Sequence, residues 1–163
     1  MTDTTMEAIT DAVTAGRSGD TLGAKHRLLD LWQSIGPGGD PFHRCTLAHY
    51  LADLCADPAE ALTWDVRAID AADALTDARV QAHQADLRIA GFYPSLHLNL
   101  ADGYRRLASF AAAADQIEAA RAHLPSLADD AYGDLIRTAI SEVAEAIARR
   151  DTTPRPSASG PAA

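Results

Sequence analysis

The sequence predicts an all-α protein, a stack of antiparallel helical hairpins, and three observations predict it. Apolar residues recur at steps of three and four, which places them on one face of a helix. The stripes come in pairs separated by turns of a few residues, so that the helices of each pair must run antiparallel and pack closely. The paired pattern then returns along the chain, as it must if no single hairpin buries both of its faces.

The first hairpin spans residues 4–34. Ile9, Ala12 and Val13 form its first stripe, Gly19-Asp20 supplies the turn, and Ala24, Leu28, Leu31 and Trp32 form its second stripe before "GPGGDP" breaks the helix. The second hairpin spans 42–74. Leu47, Ala48, Leu51 and Leu54 lead to a turn at Asp57-Pro58, and Ala61, Trp64, Ala68 and Ile69 follow. Residues 75–93 interrupt the series. Val80, Ala82, His83, Leu87, Ile89 and Ala90 permit a helix stopped by Gly91, read either as an extra helix or as an extension of the one before.

The third hairpin, 94–125, is the most regular. Leu100, Ala101, Tyr104 and Leu107 mark a helix over 94–108 with Pro94 in its first turn. After a turn at Ala108-Ser109 come Phe110, Ala113, Ala114, Ile117, Ala120 and Leu124, and Pro125 ends the stripe. "SLADD" then offers a break and a start cap for a last helix over 130–149. Leu135, Ile136, Ala139, Ile140, Val143 and Ile147 would face inward, with Asp134, Arg137, Ser141, Glu142 and Glu145 outward. Such a helix caps a repeat stack by covering its last apolar face. From Asp151, "DTTPRPSASGPAA" has no apolar anchor and is expected to be disordered, leaving one domain over 1–150.

In the third hairpin His97, Leu100, Ala101, Tyr104, Ala113, Ile117 and Pro125 follow a known signature. The pattern resembles the tetratricopeptide repeat of about 34 residues, W-x2-L-G-x2-Y in its first helix, then A-x3-F and a closing proline. His97 stands for the Trp and Ala101 for the Gly. The second hairpin keeps Ala48, Ala61 and Ala68 but has Leu51 for the Tyr, and the first keeps Ala12, the Gly19-Asp20 turn, Ala24 and Leu28. The small residues Ala12, Ala48 and Ala101 lie 36 and then 53 residues apart, so that about 19 residues are inserted before the third hairpin.

The resemblance implies a right-handed stack whose first helices line a concave groove for an extended peptide or a partner helix. In the third hairpin that face would carry Ser95, Leu98, Asn99, Asp102, Arg105 and Arg106. Asn99 matches a position where the family often places an asparagine, whose amide both donates to and accepts from a peptide backbone. In the second hairpin the face would carry Phe42, Cys45, Thr46, His49 and Asp53. The implied function is a non-catalytic scaffold for a protein or peptide partner, with no cofactor, and a homodimer is a further form of the same interaction.

Composition narrows the partner classes. With 14 basic against 23 acidic residues, a net charge of −9, the chain repels phosphate backbones and anionic lipid, so neither nucleic acid nor membrane is expected. No apolar run approaches the roughly 20 residues of a membrane span, and "MTDTTME" lacks the features of a signal peptide, which predicts a cytoplasmic protein. One lysine among the basic residues and abundant alanine match a GC-rich bacterial source. Cys45 and Cys55 are too few and too far apart for a disulfide framework and are expected to be reduced thiols.

Two other clusters carry chemistry at the level of spacing. Cys45 and His49 at i, i+4, with His43 nearby, offer soft-metal ligands, although two ligands do not complete a zinc site and no metal is expected. The runner-up function, a small-molecule- or metal-responsive helical protein, would use these residues and a pocket between His49 and Asn99. Asp70, Asp73 and Asp77 at i, i+3, i+7 would share a helix face and resemble a magnesium-diphosphate device, but read better as a solvated outer face. No Gly-x-Ser-x-Gly elbow is present, and "GPGGD" lacks the Lys-Ser/Thr of a phosphate loop. "GFYP", residues 91–94, is read as an aromatic pair packed under its own loop.

Overall fold

The computed structural model describes residues 2–84 and 86–155. Among these, aspartate starts most of the helices. Asp3 accepts from the Met6 N–H at 3.0 Å and begins α1, Thr4–Arg17; Asp20 accepts from the Gly23 N–H at 3.0 Å and begins α2, Thr21–Ile35. Asp40 and Asp57 do the same for α3, Pro41–Asp53, and α4, Pro58–Asp73, each with a proline in the first turn. Thr76 caps α5, Asp77–His83, and Asp130 caps α8, Ala131–Ala148. A carboxylate at these positions satisfies an orphan N–H and faces the positive end of the helix dipole. Only α6, Tyr93–Arg106, and α7, Phe110–Ala122, begin without a side-chain cap.

The described residues are all helix, turn and coil, with no strand. No helix among them is long and apolar enough to cross a membrane. Neighbouring helices pack: α1 on α2, α3 on α4, α6 on α7, the three pairs read from the sequence. The chain falls into two compact units, one up to Ile89 and one from Ala90 onward.

In the first unit α3 also packs against both α1 and α2. Ile9, Ala24, Leu28, Leu47, Leu51 and Ala68 are fully buried. Small residues set the spacing: a Cβ placed on Gly16 of α1 would lie 3.0 Å from the Ala24 Cβ of α2. The inserted segment forms its own helix. α4 ends at Asp73 and Thr76 caps α5 anew, which decides the extra-helix reading over the extended one. Val80 anchors α5 in the core, and Arg79 ties it down from the polar side.

In the second unit α8 packs against both α6 and α7 and closes their apolar seam. Leu98, Ala101, Ile117, Ile136, Ile140 and Val143 meet in its core. The turn between α6 and α7 places Ala108 at φ 61°, a left-handed conformation, and the Ser109 N–H bonds the Tyr104 carbonyl at 2.9 Å.

Three stripe residues depart from the expected burial. Leu107 follows the end of α6 and is 38% exposed, Leu135 is 37% exposed, and Ala114 also faces out. Leu107 falls beyond the last helical residue, so the three-residue step no longer returns it to the seam. The segment expected to be disordered from Asp151 is tied down over 151–155; residues 156–163 lie outside the described ones. The Asp151 N–H bonds the Ala146 carbonyl at 2.9 Å, its carboxylate accepts from Thr153, and Arg155 pairs with Glu142.

Candidate partner-binding faces

Position along α6 decides which of its polar residues a partner reaches. Ser95, Asn99, Asp102 and Arg106 stand at i, i+4, i+7 and i+11, on one face, and all four are partly exposed. The Ser95 hydroxyl donates to the Phe92 carbonyl at 3.0 Å, which holds it in the first turn. Arg106 makes no hydrogen bond or ion pair with a described residue. This face therefore offers an amide, a carboxylate and an uncommitted guanidinium in a row.

Leu98 and Arg105 do not belong to it. Leu98, Ala101 and Arg105 stand at i, i+3 and i+7, and that row is the buried one. Arg105 is 0% exposed. Its Nε and Nη2 donate to Asp102 Oδ1 at 2.9 and 2.7 Å, and its Nη1 donates to the Asp151 carbonyl at 2.6 Å. The expectation that Arg105 contacts a partner is thus corrected: the guanidinium pins the chain after α8 to α6. The signal was present in its shared spacing with Leu98 and Ala101. Its charge argued for the surface, whereas a buried arginine needs only enough acceptors for its donors.

The α3 residues lie in the first unit. Thr46, His49 and Asp53 share a face at i, i+3, i+7; Thr46 and His49 are half-buried and Asp53 is exposed. The His49 and Tyr50 rings are 5.6 Å apart, and the Arg17 guanidinium lies 5.9 Å from the Tyr50 ring centre. Phe42 and Cys45, placed on the same face by the resemblance, are buried instead. Phe42 packs against His83 at 5.2 Å and under the Arg79 guanidinium at 5.0 Å.

Both cysteines are free and buried. Burial pushes the Cys45 thiol up to about 12 and the Cys55 thiol to about 11, so both stay protonated. No group of three or more His, Cys, Asp or Glu among the described residues is arranged to hold an ion. The three aspartates of the diphosphate pattern do not share one helix: Asp70 and Asp73 end α4, and Asp77 begins α5, where it accepts from the Ile89 N–H at 3.0 Å.

Two polar clusters were not legible in the spacing. In the first unit Arg79 donates from Nε to Asp40 at 2.6 Å and from Nη2 to Asp3 at 3.1 Å, and His43 Nε2 lies 2.8 Å from Asp3. Burial alone would raise the Asp3 carboxyl; hydrogen bonds from His43 and the Met6 N–H outweigh it and bring the group down to about 2. In the second unit the rings of Tyr93, His123 and His97 stack, with Tyr93 5.0 Å from His123 and His123 5.6 Å from His97. His97 Nδ1 meets Gln116 Oε1 at 2.8 Å, which fixes the stack on the α6–α7 hairpin.

The site and fold together define an all-helical protein of packed neighbouring helices, an architecture compatible with a helical repeat. Compared with protein-family models, curated proteins and solved structures, the chain matches none of them.

Proposed function

We propose that the chain is a non-catalytic, tetratricopeptide-like module that binds a protein or peptide partner through the polar faces of its first-position helices, above all α6. The observation that carries this reading is the α6 row of Ser95, Asn99, Asp102 and Arg106, partly exposed beside the buried row of Leu98, Ala101 and Arg105 on the same helix. An amide beside charged groups of both signs suits a peptide, whose backbone offers a carbonyl and an N–H at each residue. His49, Thr46 and Asp53 on α3 are a second polar row of the same kind. A bacterial, cytoplasmic setting belongs to the same reading. The metal-responsive alternative would draw on Cys45 and His49, and no group of three or more His, Cys, Asp or Glu among the described residues surrounds them.

The test is affinity capture from the native lysate with mass spectrometry, comparing the parent with an Asn99→Ala/Arg106→Ala variant. Proteins held by the parent should be lost by the variant while helicity and melting temperature stay nearly unchanged. Equal capture by both would move the site off the α6 face.

A further inference from the structure

The chain holds two tryptophans, Trp32 on α2 and Trp64 on α4, and the fold brings them together edge to face at 5.1 Å. Two arginines lie against this pair. The Arg44 guanidinium of α3 sits 4.0 Å from the Trp32 ring centre; that of Arg67, on α4, sits 4.3 Å from Trp64 and 5.8 Å from Trp32. Arg44 donates one N–H to the Gly36 carbonyl at the end of α2, which fixes it in place. Arg67 is exposed and makes no hydrogen bond or ion pair with a described residue.

Lys25, Arg79, Arg105, Arg121, Arg137, Arg149 and Arg155 each hold a carboxylate of the chain itself. Arg44 and Arg67, like Arg27 and Arg106, show no such pair among the described residues, but unlike those two both lie against a tryptophan ring, in a sequence with 23 acidic residues against 14 basic ones. Exposed Asp70, one turn beyond Arg67, is not bonded to it. Stacking on an indole engages the face of a guanidinium and leaves the N–H donors around its edge free. It also fixes the side chain before any ligand arrives, which lowers the ordering cost of binding.

We propose that this arginine-faced tryptophan pair is a docking surface for an acidic peptide segment of a partner. Arg67 takes a carboxylate through its edge donors, and Arg44 adds a second positive charge beside the same ring. A polyanion is a worse fit than a short acidic segment. Repulsion from a chain of net charge −9 accumulates over every phosphate, whereas contact with one or two carboxylates stays within about a Debye length, ~8 Å, of the arginines. The proposal rests on the partner-binding reading in that it names a partner's chemistry, and it uses residues other than those of the α6 row.

Because the sequence has no third tryptophan, intrinsic emission of the full chain reports this site directly. The probe is a capped peptide of alternating glutamate and serine, with a lysine-serine peptide and inorganic tripolyphosphate as comparisons. The glutamate peptide should change the emission saturably and bind more weakly as salt rises. Arg67→Gln should weaken it about tenfold or more, with the circular dichroism spectrum unchanged, while Arg27→Gln binds like the parent. The proposal is overturned if the glutamate peptide gives no saturable change, if Arg67→Gln binds it equally, or if tripolyphosphate or the lysine peptide binds more tightly. It is also overturned if the parent self-associates through this surface, seen as a dimer in sedimentation that Arg67→Gln abolishes. The α6 reading is scored by the capture experiment alone, so either surface can fail without the other.

Discussion

Arg105 shows how one buried charge is made acceptable. Three of its donors reach an oxygen, two on Asp102 and one on the Asp151 carbonyl, and no buried side-chain polar atom among the described residues is left without a partner. Arg105→Ala strands the Asp102 carboxylate and the Asp151 carbonyl together. Urea denaturation should show a loss of about 2–4 kcal/mol. Arg105→Lys should recover little of it, because one ammonium cannot reproduce a fork that spans two acceptors. Asp3 offers a second residue-level test. Its folded pKa of about 2 lies below the ordinary 3.8, so its contribution is fully present above that ordinary value and is lost as pH falls through about 2. Asp3→Asn should destabilise on the order of 1 kcal/mol at pH 7, a figure reduced by solvent screening of a side chain about a third exposed. The gap between variant and parent should close near pH 2.

At the level of elements, much of the fold was legible because helix signals are local. A proline in the first turn of α3 and of α4, an aspartate before each, and small residues at the facing positions all lie within a few residues of what they determine. The same locality makes the packing testable. Ala101 and Ala113 are fully buried where α6 meets α7 and α8, so Ala101→Leu or Ala113→Leu should overpack the seam at a cost of about 1–3 kcal/mol in chemical denaturation. The α6–α7 turn should respond in the opposite direction. Ala108 holds φ 61°, which a Cβ disfavours, and Ala108→Gly should gain about 0.5–1 kcal/mol despite the greater freedom of glycine in the unfolded chain. The helical stripe was less reliable at its ends. Leu107 and Leu135 continue the period and yet reach solvent, since a step of three or four positions a residue only while the helix persists and a neighbour covers it.

For the whole molecule, the features the sequence concealed are those that join distant positions. Arg79 meets Asp3 across 76 residues and Asp40 across 39, and Arg105 reaches Asp151 across 46. Periodicity reports which residues share a face of one helix, not which charges the fold later brings together, so Arg105 read as surface and the segment after α8 read as untethered. The clusters divide along the same line: that Asn99, Asp102 and Arg106 share a face of α6 was legible in their spacing, while the tryptophan–arginine cluster, drawn from three helices, was not. Each long-range pin also lies inside one compact unit, Arg79 with Asp3 and Asp40 in the first and Arg105 with Asp151 in the second. Local stability should follow that division, because opening of a unit depends on the contacts it contains. In native-state hydrogen exchange, Arg105→Ala should speed the amides of α6 and α8, and Asp3→Asn those of α1, α3 and α5. If Arg105→Ala accelerated α1 to α4 as much as α6, the two units would be opening as one cooperative body, and the pins would be stabilising the chain as a whole.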